Sequence, residues 1–462
     1  MSQRNRGQIR DQIKLLQEAP QLPFCDLLDD QLVQDVLRSE KVTFRDRVYT
    51  PIVTLWTFLS QVLSTDHSCR QAVTRLVAHR TARGQEPCSP DTGNYCKARQ
   101  RLPVGVFTLL VRILAARLQE RAPREWLWKG REVLLVDGST VSMPDTKASQ
   151  RVFPQAKTQA PGVGFPIARI VAVISLATGA VRDLAIGPYQ GKQTGENSLF
   201  RSLWDRLRAG EIVLGDRHFA SYFGIAPLVE RGVAGLFRMH QVRKFDFRRG
   251  TRLGIEDHAV FWNKPKRPEW MEQALYDQLP ERLQVRELRV RVNQPGYRVN
   301  ELVLVTTMLD PSEYTKEDLA MLYYERWNSE LDLRSIKSVM QMDVLRCETP
   351  EMVEKEIWTH LIAYNLIRSL TGAAAEASGK LPRQISFKGT LQALTAFQDP
   401  LKQASPECRR VLVEVMLETI AYHEVGDRPG RVEPRAIKRR PKPHDLLMEP
   451  RKQARKRLLA MT

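Results

Sequence analysis

Apolar positions recur at helical spacing through the first quarter of the chain. Ile52, Leu55, Trp56, Leu59 and Val62 follow the 3.6-residue period, as do Phe107, Leu110, Val111, Ile113 and Leu114, so residues 1–125 are expected to form a helical domain. Between them, SPDTGNYCKARQRLP offers Ser89-Pro90 as a helix start and then Lys97, Arg99 and Arg101, expected on an exposed face. That face suits either the solvated side of a bundle or a helix presented to DNA. At Arg131 the period changes. Val133-Leu134-Leu135-Val136 reads as a buried strand closed by Asp137-Gly138, and Ile212-Val213-Leu214-Gly215-Asp216 repeats the pattern. Between these, residues 167–175 and 181–186 flank Thr178-Gly179 as a β-hairpin, followed by a helix over about residues 196–207. Strand, hairpin, helix and strand predict an α/β core with at least one parallel pair.

Residues 238–309 carry charged loops and two alternating strands, residues 285–292 and 299–306, and read as a β-rich insertion. A long helix is expected from Thr315, with Asp318 completing an approximate capping box, to about Ser338, and a further apolar helix from Met352 to Leu370. The resulting domain plan is 1–125 helical, 126–237 core, 238–309 insertion, 310–375 core again, and 376–462 a helical region with a basic tail.

Charge narrows the partners. Against 53 Asp and Glu stand 71 Lys and Arg, a formal net charge of +18, which suits a phosphate-rich partner such as nucleic acid. The stretch from Arg428 to Arg457, with Lys438, Arg439 and Arg440, holds twelve basic and three acidic residues, so +9 of that charge lies there. Interrupted by prolines, it is expected to be extended and to track a DNA backbone. Six scattered cysteines fit neither a disulfide framework nor a structural zinc site and suit a reducing cytoplasm. The longest apolar stretch, near Ile170 to Val181, is far short of a membrane span, so no membrane partner is expected.

Carboxylates at the ends of neighbouring parallel strands face the crevice where open α/β sheets place their sites, so Asp137 and Asp216 together suggest a site for a hard divalent ion. Each alone is more often a turn former. On the helix after Thr315, at about 100° per residue, Tyr323, Arg326, Glu330 and Lys337 fall within about 60° of one another. Such a stripe is either a solvated face with an i,i+4 ion pair or a surface for something specific.

These residues resemble a known family. The spacing Y-x2-R-x3-E-x6-K is that of insertion-sequence transposases of the DDE class, and VDGSTVSMPDT, LGDRHFASY, YCKARQRLP and EPRAIKRRPK are also similar to that family. The resemblance implies an RNase H-like mixed-sheet core split by the insertion. In it Asp137, Asp216 and Glu330 would be catalytic and would bind two Mg2+ ions, replaceable by Mn2+. Tyr323, Arg326 and Lys337 would hold phosphates, and Trp262 in the insertion, with Trp270 second, is the candidate to stack on a flipped base, the alternative being a tryptophan buried in the insertion's own small core. The expected substrate is double-stranded DNA, both the terminal inverted repeats and the target, with a homodimer in the DNA-bound synaptic complex and a cytoplasmic, nucleoid-associated location. An inactive DNA-binding derivative would tolerate loss of the triad, which is intact here. A junction-resolving nuclease of the same fold would have no need of the Y-R-E-K spacing.

Overall fold

The computed structural model describes residues 27–45, 47–291, 301–426 and 447–461. They fall into two compact units. The first comprises Met1–Leu127, Ala177–Asp183 and Asp332–Val425, and the second Trp128–Leu176, Leu184–Leu331 and Gly426–Thr462.

The first unit begins with α1 (Asp30–Ser39), α2 (Pro51–Val62), α3 (Cys69–Ala82), α4 (Gly93–Arg101) and α5 (Val104–Glu120). The starts are encoded locally: Thr50 caps α2 with Pro51 at its first position, and Ser68 caps α3 through the backbone N–H of Gln71. The apolar rows of α2 and α5 are buried, Phe58 and Phe107 meeting edge to face.

The second unit is built on one nine-stranded mixed sheet in the order β3-β2-β1-β4-β5-β9-β8-β7-β6. Its strands are β1 (Val133–Ser142), β2 (Ile167–Ser175), β3 (Val181–Pro188), β4 (Ile212–Gly215), β5 (Ala234–Arg238), β6 (Thr251–Gly254), β7 (Asp257–Asn263), β8 (Arg282–Arg291) and β9 (Glu301–Thr306). β1 runs antiparallel to β2 and parallel to β4, and β4 is parallel to β5. The apolar runs of β1 and β4 are buried at every position, as expected for strands covered on both faces. This is the expected RNase H-like order, three antiparallel strands followed by two parallel ones.

The strands of residues 238–309 extend this sheet from β5 rather than forming a body with its own core. Trp262, Leu283 and Val285 share one cluster with Leu134, Val213 and Phe237. The turn expected at residues 293–296 lies outside the described residues.

Helices α6 (Lys147–Val152), α7 (Glu196–Arg201), α8 (Tyr222–Glu230) and α9 (Gln273–Gln278) sit between strands. The helix expected over residues 196–207 is shorter. It ends at Arg201 and a 3₁₀ turn follows at Trp204–Arg206, where hydrogen bonds three residues apart tighten the chain as Leu203 and Trp204 enter the core. The helix after Thr315 is also interrupted. The capping box forms in full, and α10 (Lys316–Tyr324) gives way at Glu325 and Arg326 to α11 (Trp327–Arg334), which ends in a π turn, Ser335–Val339. Hydrogen bonds from Arg326 to Tyr323, Asn328 to Glu325 and Ser329 to Arg326 span three residues instead of four, so the uniform 100° stripe does not hold.

The chain completes the first unit with α12 (Pro350–Ser378), α13 (Phe387–Gln403) and α14 (Pro406–Tyr422). The helix expected over 352–370 is longer at its C-terminal end and stops at Gly379, whose φ of +66° closes it. Arg368 and Tyr364 of α12 share one buried carboxylate: Asp332 accepts from Arg368, from Arg383 at 2.7 Å and from the Tyr364 hydroxyl at 2.9 Å. Among the described residues of the tail, Arg451–Met461 is helical (α15) rather than extended, since RKQARKRLLAM contains good helix formers and no proline. No single helix among the described residues is long and apolar enough to cross a membrane.

Candidate active site

Asp137 and Asp216 arise from strand register. Val136 pairs with Gly215 in the parallel β1–β4 ladder, and each aspartate is the next residue, so the two leave adjacent strands at the same level. One expectation is corrected here. Asp137 does not close its strand, because the antiparallel ladder with β2 carries β1 on to Ser142, and Asp137 stands where β1 outruns β4. Asp137 Oδ1 accepts from the Gly138 N–H at 2.8 Å, and Asp216 Oδ1 from the His218 N–H at 2.8 Å. Burial pushes the Asp137 carboxyl above the usual range, and the bonds from Ser329 and Gly138 and the charge of Arg326 only partly offset it.

The break between α10 and α11 supplies the groups that face Asp137. The Ser329 hydroxyl, fully buried, lies 2.7 Å from Asp137 Oδ2, and the Arg326 Nη1 lies 4.0 Å from the same oxygen. Arg326 Nη2 donates to Glu330 Oε1 at 2.7 Å, so one guanidinium stands between Asp137 and Glu330. Tyr323 is buried, its phenol pushed up to about 12, first by burial, and it interacts with Arg326, Arg238 and Asp216. Lys337 lies in the π turn, in the other compact unit.

A fourth carboxylate belongs to the same place. Glu196, the first residue of α7, has its carboxyl raised by burial and then by the nearby charges of Asp216 and Asp137. It lies so close to β1 that a Cβ on Gly138 would be 2.4 Å from its Cδ, so the glycine after Asp137 is what admits it. In sequence a glutamate opening a helix reads as a partner of the helix dipole. The available signal was the strand-hairpin-helix order, which returns the start of α7 to the sheet beside β1.

The donor set, four carboxylates and no thiol, is the chemistry of a hard divalent cation. Among the described residues no three such groups converge at ligating distance in this arrangement. Instead the Arg326 guanidinium occupies the space between two of them, a stand-in cation that shows this position stabilises positive charge.

The other expected contacts divide. Lys97 and Arg101 are exposed on α4, but Arg99 is 5% exposed and is not a surface group. Its guanidinium is sandwiched against the Phe58 and Tyr95 rings and donates to Gln61 at 3.3 Å, so its partners come from α2 and the apolar side of α4. Lys438, Arg439 and Arg440 lie outside the described residues. Trp262 is 3% exposed, with Arg243 over its ring and its indole N–H donating to Glu287 at 2.8 Å, so it is a core residue and not a stacking surface. Trp270 is partly buried under Arg201. Trp327, which follows Arg326 directly, is by contrast 52% exposed.

A family model described as a transposase DDE domain matches residues 128–366, just over half of the chain. The transposase InsG of insertion sequence element IS4 from Escherichia coli (strain K12) is 27% identical over 436 residues, covering 91% of this chain and 93% of that protein. The transposase of insertion sequence element IS421 from Escherichia coli is 38% identical over 65 residues, 14% of this chain and 18% of that protein. A piggyBac transposase solved as a synaptic complex with hairpin DNA aligns over 87% of this chain and 85% of its own, with a TM-score of 0.44 and 11% identity.

Proposed function

The chain belongs to the transposase DDE-domain family, and from this premise we propose that Asp137, Asp216 and Glu330, with Glu196 beside them, hold the metal ions with which it cuts and joins DNA. It is an insertion-sequence transposase, an enzyme of DNA strand cleavage and strand transfer. The observation that carries the site is the register of β1 and β4, which sets Asp137 beside Asp216, together with the single guanidinium that links Asp137 to Glu330.

Two magnesium ions, with manganese able to substitute, would supply the activation of a water or 3′-hydroxyl for in-line attack and the stabilisation of charge on the leaving oxygen. The chain's residues do the rest. Ser329, whose buried hydroxyl lies between Asp137 Oδ2 at 2.7 Å and the Arg326 carbonyl at 2.9 Å, holds the Asp137 carboxylate against the break in the helix. Arg326 neutralises Asp137 and Glu330 in the metal-free protein and would offer its donors to the scissile phosphate of a bound duplex. Tyr323 backs Arg326 from the buried side, and Lys337 adds a cation for the flanking backbone. The substrates are the terminal inverted repeats of the element and a target duplex, and the working form is a homodimer on DNA.

The test is a labelled duplex copied from the DNA flanking the reading frame, incubated with the full chain and Mg2+, Mn2+ or chelator. The expected result is a metal-dependent nick or double-strand cut at the repeat boundary, followed by joining to a plasmid. Cleavage that persists in chelator, or that survives Asp137→Ala, would overturn the assignment.

A further inference from the structure

A second feature of the first unit has no part in the carboxylate site. The loop between α1 and α2 and the C-terminal end of α4 enclose a cleft of about 430 Å³ lined by Phe44, Arg45, Arg47, Thr54 and Arg101. The three arginines are exposed, and among the described residues neither an ion pair joins any of them to a carboxylate nor does an acidic side chain line the cleft. Thr54, 1% exposed, also lines it, and its hydroxyl has no hydrogen-bond partner. Phe44 stands at the same cleft with 56% of its surface in solvent. Three guanidiniums around one space select an anion with several acceptor oxygens, and an exposed ring beside them selects one attached to an apolar or aromatic body.

We propose that this cleft is a DNA-backbone site, in which Arg45, Arg47 and Arg101 bind successive phosphates and Phe44 packs against a base or deoxyribose. The proposal rests on the reading of the chain as a transposase acting on duplex ends, and to Arg101, which the helix-face pattern of α4 already offered, it adds Phe44, Arg45 and Arg47. Arg45, Arg47 and Phe44 lie in an irregular loop, where no periodicity marks them, and only Arg101 belongs to α4. The arginines and the ring make separable contributions. Each phosphate contact adds about 0.9 to the slope of log affinity against log salt, so three add about 2.7, and each is worth roughly eightfold in affinity at about 0.1 M salt. The ring contributes an apolar contact that salt does not weaken.

The experiment is fluorescence anisotropy of the full chain in chelator, titrated from low to high salt with a duplex copied from the flanking DNA and with an unrelated duplex. Arg45→Ala/Arg47→Ala/Arg101→Ala is expected to lower the salt slope by about 2.7 and weaken binding by more than a hundredfold at about 0.1 M salt. Phe44→Ala is expected to weaken binding severalfold at every salt concentration with the slope unchanged. Arg410→Ala, an exposed arginine on α14, serves as the control and should leave both quantities unchanged. All the side chains changed at the cleft are exposed, and circular dichroism of each variant verifies the fold. A triple variant with wild-type affinity and slope would overturn the cleft assignment while leaving the transposase reading intact. A wild-type chain with no affinity for either duplex would overturn both.

Discussion

Removing Arg326 separates a catalytic cation from a surface ion pair. Its guanidinium lies 4.0 Å from Asp137 Oδ2 and 2.7 Å from Glu330 Oε1. At an effective dielectric of about 20, a charge pair at 4 Å is worth roughly 4 kcal/mol before desolvation, which is a ceiling for the Asp137 pair. The Glu330 side chain is 41% exposed, and solvent screens that pair to less than about 1 kcal/mol. Arg326→Ala should therefore cost only about 1 kcal/mol of stability in chelator. It also frees both carboxylates for a metal. Even a third of the ceiling, about 1.4 kcal/mol, corresponds to a tenfold gain in Mn2+ affinity. Cleavage should move the other way, falling by about 10²-fold or more, because a donor to the developing charge is gone. Calorimetric Mn2+ titration, denaturation in chelator and single-turnover cleavage measure the three quantities. Unchanged metal affinity together with unchanged cleavage would return Arg326 to the status of a surface partner of Glu330.

Three further outcomes follow from the same geometry. Asp332→Ala leaves Arg368 and Arg383 without their shared carboxylate in a buried setting, so denaturation should show a loss of about 3–5 kcal/mol, and a loss below about 1 kcal/mol would refute the network. Gly138→Ala puts a methyl 2.4 Å from Glu196 Cδ, and because a flexible side chain can yield, cleavage should drop about tenfold or more with stability within about 1 kcal/mol; full activity would remove Glu196 from the site. Asp137 and Glu196 both have carboxyls raised by burial from ordinary values of 3.8 and 4.5. The stability they lend the metal-free protein is thus present below those values and lost as pH rises through the folded ones, and Mn2+ affinity, which needs the ionised forms, should fall on acidification from a higher pH than for ordinary carboxylates. Metal-free melting curves that are equally steep in pH for wild type and Asp137→Asn would contradict this.

What was legible in the sequence was local or periodic. The apolar runs before Asp137 and Asp216, the hairpin around Gly179 and the Thr315–Asp318 box each depend on neighbours within a few residues, and each is present. What was not legible depends on partners far along the chain. Arg99 sits in a basic helix that reads as solvated, yet Phe58 and Gln61 on α2 bury it. Trp262 could be read either as a stacking surface or as a buried core residue, and only Glu287 and Arg243, distant in sequence, decide for the core. β1 passes Asp137 because β2 continues to pair with it, and the helix around Arg326 breaks where its side chains meet β1. Glu196 joins Asp137 only through a missing Cβ at Gly138, a relation that no spacing encodes.

The most direct test of the carboxylate site places DNA binding and cleavage side by side in Glu330→Ala. With a flanking-end duplex and Mn2+, this variant should bind with an affinity within a few-fold of wild type while single-turnover cleavage falls to background. Cleavage at the wild-type rate would show that Glu330 holds no metal, and that the alignment of Asp137, Asp216 and Glu330 is architecture without chemistry.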